Sequence, residues 1–291
     1  MENKICLVTG ASQGLGYSLS LRLAQKHATV IMVDTNIERL QKSRLQIIEL
    51  TQNPNIDFLH YRQGHPEDIK SLTDHVLHRY SHLDLLANLT EYRFWKKTGH
   101  KSKIGSDRNL NENVLIPFLL THFLLPRLIA SGNSQILNLV RITSQHRKVK
   151  YPDLLIKKRF PLHRCFSQIN LVRMMWSKAL QDQLSHTNVK VQALDPGLTR
   201  STVKWTPFHP LQILKSASGL ILGRSCKEVS SKVLENLEYS NIRNRDTLFW
   251  YLNHKRLIQV HDTLNPAAFK NVYRICEKLT GVWVPRTSLQ G

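Results

Sequence analysis

Ile5-Cys6-Leu7-Val8-Thr9-Gly10-Ala11-Ser12-Gln13-Gly14-Leu15-Gly16 is a short apolar run that passes directly into three glycines within seven residues. Beyond it Leu15, Leu19 and Leu23 recur every four residues, so the stretch reads as strand, glycine-rich turn and helix. Such a turn leaves backbone N–H groups free at the helix N-terminus, where they and the helix dipole favour an anion such as pyrophosphate. Glycine is required because a side chain would block that approach. Thr29-Val30-Ile31-Met32-Val33 forms a second apolar run and ends on Asp34, 18 residues after Gly16. A carboxylate in that place can take the hydroxyls of an adenosine ribose.

Outward from this unit the alternation continues. A polar amphipathic stretch covers 38–51, further strands are expected at 83–87, 135–140 and 189–194, and helical patterns at 67–82, 107–130 and 161–186. Short apolar strands between longer helices predict a doubly wound α/β fold, a parallel sheet covered on both faces. Ser225-x-x-Glu228 has the form of a capping box opening another helix. A last helix over 267–280 places Phe269, Val272, Ile275, Cys276 and Leu279 on one face. The whole chain, 1–291, reads as a single domain.

Composition narrows the classes. There are 41 Lys plus Arg against 21 Asp plus Glu, a formal charge of +20, yet 41% of residues are hydrophobic, which excludes a disordered basic tail. Cys6, Cys165, Cys226 and Cys276 lie far apart, which predicts neither a disulfide framework nor a zinc knuckle, and a reducing compartment. The first ten residues run straight into a strand pattern, so no secretory signal is expected and the chain reads as cytoplasmic. The apolar stretch 114–130 is interrupted by Pro117, His122, Pro126 and Arg127 and is expected to be a buried helix, not a membrane span. His75, His78 and His82 share a helical spacing that could hold a metal, but a solvated face is the expectation and no metal site is assigned. Asn88-Leu89-Thr90 is a glycosylation sequon at the end of a central strand, and is expected to be unused. Met174, Met175 and Trp176 are expected to pack in a core or a dimer interface.

Thr9-Gly10-x-x-x-Gly14-x-Gly16 resembles the cofactor motif of the short-chain dehydrogenase/reductases. The resemblance runs along nearly the whole chain. Leu83-Asp84-Leu85-Leu86-Ala87-Asn88 is similar to the family's fourth-strand entry, and Asn113-Val114-Leu115-x-Pro117-Phe118 to the helix that carries its active-site Asn. Asp195-Pro196-Gly197 resembles its Pro-Gly turn beside the nicotinamide. Residues 146–154 and the ending Cys276-Glu-Lys-Leu-Thr-Gly281 resemble the retinol-dehydrogenase branch. The resemblance implies a Rossmann domain with a substrate lid over 199–245. It assigns the cofactor to Gly10, Ser12, Gln13, Gly14, Leu15, Gly16, Asp34, Asn88, Pro196, Gly197 and Ser201. Asp34 followed by Thr35, with no basic residue there, implies NAD over NADP, since an aspartate repels a 2′-phosphate.

The family transfers a hydride to or from nicotinamide while a Tyr moves the proton. A Lys four residues later lowers that Tyr's pKa and holds the ribose, and a Ser and an Asn position substrate and water. Here the Tyr and Lys positions fall on Phe166 and Asn170. Phenylalanine has no exchangeable proton, and asparagine has no charge with which to shift a neighbour's pKa. The Ser position is Arg141 when aligned on the preceding strand and Thr143 when aligned on His146; only Asn113 keeps the family residue type. Asn88-Leu89-Thr90-Glu91 replaces the family's Asn-Asn-Ala-Gly, and its bulk and charge are expected to crowd the cleft floor, while the adenine-contacting Asp aligns with Gly64. Tyr151 and His163 are the nearest replacement proton donors in sequence.

Three functional readings stand at this point. One is a degenerate NAD(P)-binding member that binds or scaffolds, since a positioned acid/base is worth about 10²–10⁴ in rate. The second is an active NAD-linked oxidoreductase on a lipophilic alcohol or ketone, with Asn113 retained and Thr143 or Tyr151 supplying a polar group. A third is a basic surface protein that meets anionic membrane or, with less support, RNA, through clusters at 93–103, 147–159 and 243–256. A homo-oligomer through helices 107–130 and 161–186 is also expected.

Overall fold

The computed structural model describes residues 1–92, 108–141, 162–197, 199, 224–239, 249–251 and 266–282. Ile5–Thr9 (β1) leads through the glycine turn into Gly14–Gln25 (α1), followed by Thr29–Asp34 (β2), Ile37–Thr51 (α2), Ile56–His60 (β3) and Glu67–Arg79 (α3). Leu85–Asn88 (β4), Arg108–Ala130 (α4), Ser134–Leu139 (β5), Leu162–Gln183 (α5) and Val189–Asp195 (β6) form the second half. Cys226–Tyr239 (α6), Phe249–Tyr251 (β7) and Pro266–Thr280 (α7) complete the described elements. All seven strands lie parallel in one sheet, in the order β3-β2-β1-β4-β5-β6-β7. The strand order reverses between β1 and β4, and crevices for ligands open there, outside the carboxyl ends of the strands.

Because side chains alternate across a strand, the strands from β1 to β6 feed two cores. Leu7, Ile31, Leu86, Ile136 and Val191 face one, which α3, α4, α5 and α7 close with Ile69, Val76, Phe118, Leu124, Trp176 and Val272. Cys6, Val8, Met32, Leu85, Ala87, Leu137 and Leu194 face the other, closed by α1, α2 and α6 through Leu19, Leu23, Leu40, Ile47, Val233 and Leu237. The expected 17-residue apolar stretch is therefore a core element. Arg108–Ala130 is long and apolar enough to cross a membrane by length and composition, but most of it is buried inside the molecule. Met174, Met175 and Trp176 are likewise buried within the chain.

Several expectations need correction. His82 lies beyond α3, which ends at Arg79 with Tyr80 already extended, so the three histidines do not share a helix. His75 lies 3.9 Å from Asp57 and His82 lies 3.4 Å from Asp84, and the described residues contain no metal-holding cluster. Within the expected lid range 199–245, α6 packs against α1 on the sheet, and residues 200–223 and 240–248 lie outside the described residues. Ser225 Oγ accepts from the Glu228 N–H at 3.1 Å as a cap should, while Glu228 pairs with Arg224 and Lys232. Helix α4 contains a π-helical turn, Asn111–Leu115, that apolar periodicity does not reveal.

Two buried polar contacts fasten the layers. Asp84 accepts from the Ile5 N–H at 2.8 Å, Lys4 Nζ at 2.9 Å and Ser131 Oγ at 2.8 Å. Burial works to raise its pKa, but these donors together hold it below the usual carboxylate value. On the other side of the core His122, stacked on Phe118, bonds the Phe118 carbonyl through Nδ1 at 2.6 Å and the Tyr273 hydroxyl through Nε2, joining α4 to α7. Burial lowers the His122 pKa to about 4. The imidazole is thus neutral when folded, while an unfolded histidine takes its proton near pH 6.5. The stability held by the neutral form is complete above that pH and is lost as pH falls from about 6.5 to 4, by about 3 kcal/mol. Urea midpoints measured across this window should fall steeply for the natural chain. In His122→Phe paired with Tyr273→Phe, the fall over the same window should be much smaller.

Candidate functional site

The carboxyl ends of β1 and β2 meet the glycine turn. Gly10 leaves β1 with φ +65°, and a Cβ there would meet the backbone of Leu89 and Thr90 at 3.2–3.3 Å. Gly16 is more constrained, because a Cβ at that position would lie 2.2 Å from the Gly10 carbonyl oxygen. Only glycine lets the first turn of α1 close onto the end of β1. The turn is then tied to β2: Ala11 N–H donates to the Val33 carbonyl, and Ser12 N–H to Asp34 Oδ2 at 3.0 Å. Thr35 N–H donates to Asp34 Oδ1 at 2.7 Å, and Ser43 Oγ to the Ser12 carbonyl at 2.9 Å. Asp34 is therefore a brace of the turn as well as a candidate ribose ligand; a carboxylate oxygen that accepts one bond keeps a second lone pair.

Gln13 opens α1 without a side-chain cap, so the first N–H groups of the helix face the crevice uncapped. The Ser12 hydroxyl is buried in the same turn with no hydrogen-bond partner among the described residues. A free helix end, a glycine cradle and an orphaned buried hydroxyl fit the phosphates of a nucleotide. Arg39, in the first turn of α2, reaches Gln13 Oε1 at 2.9 Å and so stands at the same rim as Asp34. The sequence reading missed it, although its spacing from Asp34 was visible. Gly64 donates its N–H to Glu112 Oε1 at 2.6 Å and packs beside the Arg108 guanidinium. Burial raises the Glu112 pKa despite these donors.

The second half of the crevice is built differently. Arg141 stands two residues beyond β5, in the place reached by aligning on the strand; Thr143 lies outside the described residues, as do Ser201, Tyr151 and the basic clusters at 93–103, 147–159 and 243–248 and 252–256. Arg141 Nε reaches Glu91 Oε1 at 2.5 Å and its Nη2 reaches Glu91 Oε2 at 3.2 Å. Its Nη1 donates to the Gly197 carbonyl at 2.7 Å, in the turn after Pro196. The Arg141 backbone N–H donates to Asn170 Oδ1 at 2.8 Å, and Asn170 Nδ2 donates to the Phe166 carbonyl at 2.9 Å. Both ends of the Asn170 amide, on the expected lysine position, thus serve the protein's own backbone, and Phe166 stands half-buried one turn earlier.

Asn113 lies in the π-helical turn. Its Oδ1 accepts from Tyr92 N–H at 2.9 Å and Arg173 Nη2 at 3.0 Å, and its Nδ2 donates to the carbonyls of Asn109 at 2.9 Å and Tyr92 at 3.2 Å. All four hydrogen-bonding positions of the amide are used. The Asn113 main-chain carbonyl accepts from Arg173 Nε at 2.6 Å, and Arg173 Nη2 also donates to the Thr90 carbonyl at 2.7 Å. Arg173 is buried, and burial lowers its pKa to about 10, which leaves it charged at neutral pH. It was missed from sequence, yet Phe166, Asn170 and Arg173 recur at i, i+4 and i+7 and so share one stripe of α5. Asn88 requires a correction. Its side chain donates to Asn138 Oδ1 at 2.8 Å and Thr121 Oγ1 at 3.1 Å, and Asn138 donates in turn to Ser177 Oγ, so it faces the interior and not the crevice.

A profile of the family described as short chain dehydrogenase matches residues 4–155. The chain belongs to the short chain dehydrogenase family. Within this family it is similar to retinol dehydrogenase 13 of Mus musculus, 27% identical over 228 residues that cover 77% of this chain and 66% of that one. The chain thus spans just under two thirds of the curated relatives it matches first. Polyprenol dehydrogenase of Homo sapiens is 22% identical over 286 residues, 96% of this chain and 86% of that protein. Among solved structures, L-sorbose reductase from Gluconobacter frateurii, complexed with NADPH and L-sorbose, superposes with a TM-score of 0.68 at 17% identity, covering 86% of this chain and 95% of that one. This short chain dehydrogenase resembles the retinol-dehydrogenase-like branch, with an NAD(P)-binding oxidoreductase fold.

The glycine contact gives a direct test of the turn. Gly16→Ala should destabilise this family member by about 1–3 kcal/mol or more, because the contact it meets is backbone and cannot swing aside. Denaturant unfolding reads the loss, and any thermal shift produced by a nucleotide should vanish in the same variant.

Proposed function

We propose that this short chain dehydrogenase binds a nucleotide at the β1–α1 turn and acts through that binding, without the family's ordinary hydride transfer. The observation that carries the reading is the stripe of α5 that faces the crevice, where Phe166, Asn170 and Arg173 stand. Phe166 cannot exchange a proton, and the Asn170 amide is committed to Arg141 N–H and the Phe166 carbonyl.

When bound, a nicotinamide dinucleotide supplies or accepts the hydride in this family. The residues of this chain that would hold its phosphates are those of the turn from Gly10 to Gly16, with Asp34 at the ribose. Asp34 supports NAD, as the sequence implied, while Arg39 at the same rim supports a 2′-phosphate. Comparing the two dinucleotides is therefore informative about which residue dominates. The family's proton path needs a hydroxyl, an ammonium and an Asn carbonyl open to water. Here the carbonyl of Asn113 is taken by Arg173, whose guanidinium does not release a proton in the neutral range.

Binding and turnover separate in one experiment. Calorimetry and thermal shift with NAD, NADP and their reduced forms should show binding, while retinoid, polyprenol and steroid panels should give no nicotinamide absorbance change above a no-enzyme control. Turnover of a lipophilic alcohol would replace this reading with an active oxidoreductase using another proton donor. Absence of any nucleotide binding would remove it. Phe166→Tyr with Asn170→Lys is expected to leave turnover below that of an ordinary family member, since Arg141 and Arg173 remain in place.

A further inference from the structure

We infer that the crevice holds a nicotinamide dinucleotide by its adenine nucleotide alone, because an internal ion pair occupies the place of the second nucleotide. This deepens the nucleotide-binding reading above and rests on it. In a sheet of this order a dinucleotide lies across the carboxyl edge, with one nucleotide over each half of the sheet. The half over β1 and β2 has no such bridge among the described residues, and presents an uncapped helix end, an orphaned Ser12 hydroxyl and a carboxylate at the rim. The half over β4, β5 and β6 is bridged from all three strand ends. Glu91 lies three residues past β4, Arg141 two past β5 and Gly197 two past β6, and the guanidinium joins the other two at 2.5–3.2 Å.

This bridge is built to stay closed. The guanidinium grips both carboxylate oxygens with a fixed fork, which fixes direction as well as distance. Both side chains are about 15% exposed, so separating them for a ligand would break a nearly buried, two-point ion pair. The root of Arg141 is held as well, through its N–H on Asn170. A neutral carboxamide ring and its ribose offer no charge to replace either partner. ADP meets none of this, because its phosphates and ribose are served by the half over β1 and β2 alone.

The test is competitive calorimetry on the full chain with ADP, NAD and nicotinamide mononucleotide. ADP and NAD should bind within about threefold of each other, and the mononucleotide should not compete, since the second half contributes no affinity. In Glu91→Ala with Arg141→Ser the bridge is gone, and NAD should then exceed ADP by about tenfold or more. NAD binding tenfold tighter than ADP in the natural chain would overturn the inference while leaving nucleotide binding intact. An unchanged ratio in a folded double variant would overturn it too. Binding of neither ligand would instead defeat the nucleotide-binding reading beneath it. Should the double variant fail to fold, the ratio in the natural chain still decides.

Discussion

At the mouth of the crevice the first turn of α1 sits so close to the end of β1 that a methyl group on Gly16 would lie 2.2 Å from the Gly10 carbonyl oxygen. Two elements are positioned by that contact. It seats α1 on the end of β1, from where Leu19 and Leu23 reach Val8 and Met32 in one core. It also lays the loop between them along β2, where Val33 and Asp34 can hold it by its N–H groups. The crevice mouth is thus set by backbone geometry, with the Asp34 carboxylate as a brace. That explains how the turn keeps its form while the residues across from it have changed type.

Those changes share a physical theme. Side chains that would address a ligand address the protein instead. Asn113 uses all four positions of its amide on its surroundings, and Asn170 joins Arg141 to Phe166. Asn88 is turned into a polar chain with Asn138 and Ser177 beneath the crevice. A buried polar group without a partner costs about 1–3 kcal/mol, so the four bonds of the Asn113 amide stabilise this centre, while Asn88 Oδ1 is left without a partner among the described residues.

The fold was readable from sequence because its signals are local. Short continuous apolar runs, four-residue spacing of Leu15, Leu19 and Leu23, and glycine at the turn each act within a few residues. The direction of Asn88 was not readable, because it depends on register: Asn88 pairs with Asn138, and both turn toward Thr121 and Ser177. Nor was the bridge, whose members Glu91, Arg141 and Gly197 come together only when three strand ends converge. Helix α3 ended three residues short of His82 because Tyr80 turns extended before the strand, a boundary that apolar spacing does not mark. Arg173 is the instructive omission. Its stripe could have been counted forward from Phe166, but an arginine on a buried face contradicts the usual expectation for that residue, and the periodicity argument passed over it.

Counting charge across the altered centre shows what was exchanged. The family pattern places one positive charge there, on a lysine. Arg141 and Arg173 together with Glu91 also sum to one positive charge, so the field that would attract an anion toward the strand ends has the same sign. What differs is chemistry. A lysine ammonium carries its charge on a flexible stem and can approach a tyrosine hydroxyl to lower its pKa. The guanidiniums are planar and fixed by fork geometry on Glu91 and on the Asn113 and Thr90 carbonyls, and buried Arg173 stays charged at neutral pH. Attraction of an anion depends on the sign of that field and not on a mobile proton, and the N–H groups of the glycine turn add to it at the neighbouring strand end.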